Sequence, residues 1–442
     1  MYIYIPIELL EILLHFEKYF SKRIFGYFIG FVWSLLSMHG RKVVTKIKRN
    51  SFFISKSVSS WERFVGEYIW SHLELSRCML KLLLKKYISN YIIHGKLLIA
   101  VDSTLTAKNT DKMFGVQKWN NHSGNADAGQ YVSGHHWGLL GLIGKFFDTR
   151  YICFPLLMRV ITGKSVDWQW ICSEKGNERM TFWDVVHAMI LEINQWIGYE
   201  VRIVVDAYFS NNSFIAPLME KRIAVITRLR GNAVAYLDFE QPIVRKRGRP
   251  RKKGEKIKVY DIQKVVEAQE VEVLLYGKKQ KVEAYVKDLM MLDLPQKVRV
   301  VLVKSPRGLI SLISTDLTLE AKEIIEIYGS RFSIEICIRD MKSNLGLEDY
   351  QFQSFYAILR YVHLVMIAYN IGKILLLDAV DLKWLKIDEG TDKGWISSLS
   401  FNWLKYGLRK YALEKIVLSD SAEYRDSLKK SGVTEALLDF AA

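Results

Sequence analysis

The chain has 442 residues, half of them hydrophobic and 13% aromatic, which is enough to bury a large core and excludes general disorder. Its 63 Lys and Arg against 47 Asp and Glu give a formal charge of +16 and a pI near 9.4, so the expected partner is an acidic polyelectrolyte. The four cysteines are scattered with no Cys-x2-Cys pair, which points to a reducing compartment and away from a disulfide framework.

In chain order, the first notable segment is 24–40, IFGYFIGFVWSLLSMHG, which holds no Asp, Glu, Lys or Arg. It is just short of a typical membrane span and diluted by glycine and serine, so it reads as a buried or partner-binding helix. No membrane partner is expected. From Arg41 to Asn90, Lys and Arg interleave with aromatics at helical spacing. That suits a helical DNA-binding unit, with a solvated charged face as the alternative.

Lys96-LLIAV-Asp102 and Arg202-IVV-Asp206 are apolar, partly β-branched runs that each reach an aspartate. They read as central strands buried on both faces, with the aspartates at or near their carboxyl ends, where open α/β sheets place ligands. The nearest approach to a phosphate loop, Gly141-LI-Gly144-Lys145-Phe146, lacks the Walker A spacing. Between the two runs, Trp119-NNHSGNADAGQYVSGHHWG reads as a polar loop leading into a strand at His136. Its His122, His135 and His136 lack the cysteine or carboxylate partners of familiar zinc spacing. A hairpin then spans His136 to Thr162, and a helix opens at Thr181 with a Thr-x-x-Asp capping box and ends at Gly198.

After Gly231, period-2 alternation in Ile257-KVYDIQKVVEAQEVEVLLY, Lys281-VEAYV and Lys297-VRVVLVK predicts a β-rich insertion over about 231–315. Within it, Arg245-KRGRPRKKGEK packs eight basic residues and one acid into twelve positions. Arg245, Lys246, Arg247, Arg249, Arg251, Lys252 and Lys253 are therefore candidate DNA contacts, and Arg247-Gly248-Arg249-Pro250 resembles the core of a minor-groove AT-hook. Beyond Gly346 the chain reads as helical, with Phe355-YAILRYVHLVMIAYNIGKILLL apolar enough to pack beneath a sheet.

The densest chemistry is in IYGSRFSIEICIRDMKSNLG, where Tyr328, Arg331, Glu335 and Lys342 stand at relative positions 0, 3, 7 and 14. On one continuous helix they would lie within roughly 60° of each other, aligning a phenol, a guanidinium, a carboxylate and an ammonium. A metal-holding carboxylate flanked by phosphate donors suits the cutting or joining of a nucleic-acid backbone. The spacing alone is equally met by an ordinary i, i+4 Arg–Glu pair and a solvated lysine.

Tyr-x2-Arg-x3-Glu-x6-Lys resembles the Y-R-E-K signature of bacterial insertion-sequence DDE transposases, members of the RNase H-like, retroviral-integrase superfamily. Asp102-Ser103-Thr104 and the run from Asp206-Ala-Tyr to Arg228-Leu229-Arg230 resemble the family's other two motifs. The resemblance implies an α/β fold: an RNase H-like mixed-sheet catalytic core interrupted by a β-rich insertion domain, with helical N-terminal and C-terminal regions. It implies a DNA-end-binding region at 1–95, core segments at 96–230 and 316–375, the insertion at 231–315, and a helical region at 376–442 available for dimerisation. Asp102, Asp206 and Glu335 would be the catalytic and metal-binding acids, with Tyr328, Arg331 and Lys342 on DNA. Three converging carboxylates repel one another, and two Mg2+ ions, or Mn2+ as substitute, would relieve that conflict with hard oxygen ligands. The reaction implied is cut-and-paste transposition: binding of terminal inverted repeats, strand cleavage, and transfer to target DNA by a homodimer in the bacterial cytoplasm, at the nucleoid. An RNase H-like metal nuclease without strand transfer and an inactive DNA-binding derivative are the competing readings. Some relatives stack a flipped base on a tryptophan of the insertion; no tryptophan lies between Asp206 and Glu335, which leaves Tyr236 and Tyr260 as substitutes.

Overall fold

A computed structural model describes residues 4–120, 130–162, 181–238, 253–292, 294–305, 308–379, 382–385 and 400–418. Five helices come first: α1 (Ile7–Leu14), α2 (Lys22–Ser37), α3 (Val44–Asn50), α4 (Val58–Gly66) and α5 (His72–Tyr91). The strands β1 (Ile92–Ile93), β2 (Lys96–Ala107), β3 (Gln117–Asn120), β4 (Tyr131–Phe146) and β5 (Arg150–Ile161) follow, then α6 (Phe182–Ile197), β6 (Val201–Val205), α7 (Asn212–Glu220) and β7 (Ala224–Arg228). Next come β8 (Val234–Tyr236), β9 (Lys256–Lys258), β10 (Gln269–Leu275), β11 (Lys278–Met291), β12 (Lys297–Ser305) and β13 (Gly308–Ser314). The chain continues through α8 (Ala321–Ser330), α9 (Phe332–Leu345), α10 (Phe355–Leu377) and α11 (Phe401–Leu418).

Among the described residues the thirteen strands join one mixed sheet of order β3-β4-β2-β6-β7-β13-β12-β11-β8-β9, with β1 on β2, β5 on β4 and β10 on β11. The centre, β2-β6-β7, is parallel, and the other pairings are antiparallel. This is the α/β, RNase H-like architecture expected of the chain, with helices around a mixed sheet. The strands expected of a β-rich insertion are bonded into that same sheet, β13 pairing with β7 (Ile313 opposite Thr227).

Local signals account for several elements. The Thr181 hydroxyl caps the Asp184 amide and the Asp184 carboxylate returns to the Thr181 amide, while Gly198 ends α6 with φ of 67°. In β2 and β6 the consecutive apolar runs Leu97–Val101 and Ile203–Val205 are buried throughout, as a sheet covered on both faces requires. The uncharged 24–40 segment forms most of α2, buried from Tyr27 to Ser37, and packs on α10 and α11. α10 is itself enclosed by protein: 94% of its most apolar window is buried, although it is long and apolar enough to cross a membrane.

Two expectations need correction. β4 starts at Tyr131, not at His136, and so takes in His135, because β3 pairs with Tyr131–Gly134 and β2 with Gly134, His135 and His136. The alternation read through 257–275 is broken at Val259–Lys264 by a 3-10 helix, in which Val259 and Ile262 are buried three residues apart and Lys264 pairs with Asp261.

Candidate active site

β2 and β6 run parallel with Ala100 opposite Val204, so two residues on, Asp102 and Asp206 reach the same level of the sheet. Asp206 follows β6 directly, and its carboxylate accepts the Tyr208 amide at 2.9 Å while Thr227 Oγ1 donates to its carbonyl at 2.8 Å. Asp102 does not end its strand, as the sequence suggested. β2 runs on to Ala107 because β4 continues to pair with it after β6 has stopped, Asp102 facing Leu139 and Ala107 facing Gly134. Asp102 thus stands where β2 loses one of its two neighbours.

The extension beyond Asp102 is held by a directed chain of hydrogen bonds. Phe114 O can only accept, so His135 Nε2 donates to it (2.7 Å) and Nδ1 accepts from Tyr350 (2.7 Å). Tyr350 in turn accepts from Thr106 Oγ1 (2.9 Å), which accepts from Trp137 Nε1 (3.0 Å). Burial pushes His135 down to about 4, which keeps the ring neutral, as this arrangement needs. Lys108 adds bonds to the carbonyls of Glu348 and Tyr350. These contacts fasten β2 to the segment that follows α9. His135 is therefore a structural relay, and His136 packs against Trp119 and Phe182.

Tyr328, Arg331, Glu335 and Lys342 do not share one helix. α8 ends at Ser330 and α9 starts at Phe332, with tight three-residue bonds on either side (Arg331 N to Tyr328 O, Ile334 N to Arg331 O). Gly329 is a poor helix former, and Ser330 turns its hydroxyl onto Ile327 O, competing with the ladder there. Tyr328 therefore sits on α8, Arg331 at the junction, and Glu335 and Lys342 on α9.

The junction aims Arg331 at both acids. Its Nη2 donates to Glu335 Oε1 at 2.6 Å and its Nη1 lies 3.7 Å from Asp102 Oδ2, with the guanidinium 5.8 Å from the Tyr328 ring centre. The Asp102 side chain is only 17% exposed. Burial pushes its carboxyl up to about 7; the Ser103 amide and Arg331 pull it down, while Asp206 and Glu335 push it up. Burial also raises the Tyr328 phenol, against the pull of Arg331.

Lys342 is held in place, its Nζ donating to Leu105 O (2.6 Å) and pairing with Glu348 Oε1 (2.8 Å). Asp102, Ser103, Thr104, Glu335, Arg339, Lys342, Ser343 and Glu348 line a cleft of ≈ 510 Å³. Asp206, just past the neighbouring strand β6, lies outside that lining. Glu348 is a residue that sequence reading missed. Its only local signal is its place two residues after Gly346, whose φ of 72° ends α9 and turns the chain back.

Of the candidate basic loop, Arg245, Lys246, Arg247, Arg249, Arg251 and Lys252 lie outside the described residues, as does His122. Lys253 is described, with its ammonium 5.0 Å from the centre of the Tyr236 ring. Tyr260 packs near Gly231. Another aromatic of this region, Tyr276, is 76% exposed at the β10–β11 turn and edge-on to Phe332 of α9 at 6.1 Å.

The donor set fits a hard divalent cation: carboxylate oxygens only, with a buried member that already feels the charge of the other two. As folded, the acids are not gathered around a common point. Among the described residues no three His, Cys, Asp or Glu are set to hold a metal, and a guanidinium stands between Asp102 and Glu335.

A family model of DDE superfamily endonucleases matches residues 29–285, which include Asp102 and Asp206. A model of archaeal ISC1217-type transposases matches residues 259–383, which include Tyr328, Arg331, Glu335 and Lys342. No curated protein matches the chain. By the first match, which spans more than half of its length, the chain belongs to the DDE superfamily endonucleases, and the second supports a transposase-type nuclease.

Proposed function

We propose that the chain is the DNA transposase of a bacterial insertion sequence, acting by a cut-and-paste route with Asp102, Asp206 and Glu335 as its acids. The observation that carries this reading is the levelling of Asp102 with Asp206 on adjoining parallel strands, with Glu335 drawn toward Asp102 through Arg331. The three carboxylates would hold Mg2+ (two ions, Mn2+ substituting), which when bound lowers the pKa of a water or 3'-hydroxyl and stabilises a leaving 3'-oxygen.

The chain's own groups do the rest. Arg331 presents a planar fork of donors matched to a phosphate. Lys342, steadied by Leu105 O, keeps its ammonium at the rim of the cleft, where a flanking phosphate can replace Glu348. Water attacks phosphorus at the element's end and the 3'-oxygen leaves; that freed hydroxyl then attacks a phosphodiester of target DNA, whose own 3'-oxygen leaves in turn. Residues 1–95 would grip the terminal inverted repeats. The strands of 231–315, with Lys253 and the basic run before it, would lie along the duplex. Two ends must be held together, so the working unit is a DNA-bound homodimer at the nucleoid, the region 376–442 being available for its contacts.

The test is a cleavage assay on DNA carrying the gene with its native flanks, with Mg2+ against EDTA. Metal-dependent nicks at paired inverted repeats, followed by joining to target, are expected. Nicks scattered without such ends would make the protein a general metal nuclease, and duplex binding without any cleavage in Mg2+ or Mn2+ would overturn the assignment.

A further inference from the structure

We infer that Arg331 is a built-in counter-ion of the acid site. In the DNA-free chain its guanidinium occupies the place between Asp102 and Glu335, and a divalent cation enters as Arg331 leaves for a phosphodiester of bound DNA. The inference rests on the reading of Asp102 and Glu335 as ligands of that cation.

Three observations carry it. The guanidinium bonds Glu335 Oε1 at 2.6 Å and lies 3.7 Å from Asp102 Oδ2, so it meets one oxygen of each acid. A small cation with oxygen ligands at about 2.0–2.1 Å would share those oxygens with a second positive group only against repulsion, since like charges a few ångströms apart in a largely buried site repel strongly. Arg331 is also not fully satisfied where it stands: among the described residues its Nε has no hydrogen-bond partner, and its Nη1 is only within ion-pair distance of Asp102. Finally, the Tyr328 ring already lies 5.8 Å from the guanidinium and can go on holding it beside the acids as its donors turn to a phosphate. One side chain thus makes metal entry and DNA entry mutually supportive, without movement of the sheet.

Linkage makes this measurable. If DNA removes Arg331 from the acids, DNA tightens the metal and the metal tightens DNA by the same factor. Mn2+ is titrated into the DNA-free protein and followed by electron paramagnetic resonance, in wild type, Arg331→Met, Arg331→Lys and Asp102→Asn. Arg331→Met should bind its first Mn2+ at least about fivefold tighter than wild type, within the usual 5–150-fold range of coupling between sites. Arg331→Lys retains a charge and should stay near wild type. Adding a DNA duplex should tighten Mn2+ in wild type and leave Arg331→Met unchanged. Should Arg331→Met melt early, Arg331→Gln takes its place. Equal or weaker Mn2+ binding in a folded, charge-free variant overturns the inference. Unaltered Mn2+ binding in Asp102→Asn instead overturns the acid-site reading on which it stands.

Discussion

Asp316 and Asp102 are both largely buried near the central sheet, and each faces an arginine. Asp316, just past β13, receives Arg202 Nη2 at 3.0 Å, Thr318 N at 3.1 Å and Thr318 Oγ1 at 2.6 Å, with Lys96 Nζ at 3.2 Å. Burial alone would raise its carboxyl, but those donors hold it well below the usual carboxylate range. Arg202, 1% exposed, also donates to the carbonyls of Ile93 and His94. Asp102 has a single amide donor, a more distant guanidinium and two carboxylates nearby, so its carboxyl moves the opposite way. A buried acid saturated with donors serves stability; a buried acid left short of them is a place where positive charge from outside is wanted.

Substitution at the two sites should separate these roles. Asp102→Asn, and likewise Asp206→Asn or Glu335→Gln, should lower strand cleavage by more than about a thousandfold, the scale of losing a group on which the reaction depends. For Asp102→Asn the metal-free protein should be as stable as wild type or more so, because a desolvated, repelled carboxylate is gone. Retained cleavage in a folded variant would remove that residue from the acid set. Asp316→Asn should do the reverse, costing about 3–5 kcal/mol in chemical denaturation because Arg202 is left buried without its counter-charge. A loss below about 1 kcal/mol would show that water or a shifted side chain compensates.

The acid limb of stability follows with a definite sign. Asp316 titrates lower in the folded chain than its ordinary value of 3.8, so its contribution is complete above that pH and lost as the pH falls below it. Asp316→Asn should therefore flatten the fall in stability below about pH 4, and an unchanged acid limb would contradict the pairing. The smallest expected effect is at the cleft rim. Lys342→Met should reduce the salt dependence of duplex affinity by a slope of about one, as the loss of one phosphate contact does, with similar weakening for all sequences. A sequence-selective loss would place Lys342 on bases instead.

What could be read in advance followed the range of the interactions. α6 was legible to the residue because Thr181, Asp184 and Gly198 are local signals. Asp206 was correctly placed after its strand, since β6 ends where the apolar run does. The end of β2 was misread because its last residues depend on β4, some thirty positions later, and nothing local announces that ladder. Spacing put Arg331 beside Glu335, yet its reach to Asp102 is a tertiary fact, and the break at Ser330 has only the weak local signal of Gly329 and Ser330. Asp316 drew no notice, since its donors come from Lys96, Arg202 and Thr318, and only Thr318 is near in sequence. The joining of β13 to β7 was hidden for the same reason.

The enclosure of α10 also bears on how the molecule is made. α10 packs on α1, α2, α4 and α5, its Arg360 bonds to the carbonyls of Val65 and Trp70, and its Tyr361 bonds to the carbonyl of Lys42. The ribosome releases α2 roughly 300 residues before α10, which at about 5–20 residues per second leaves that apolar helix without its partner for on the order of half a minute. During synthesis the N-terminal helices are thus an unfinished half-core. A chain cut short before Phe355 should be captured by chaperones or aggregate rather than persist as a free end-binding fragment.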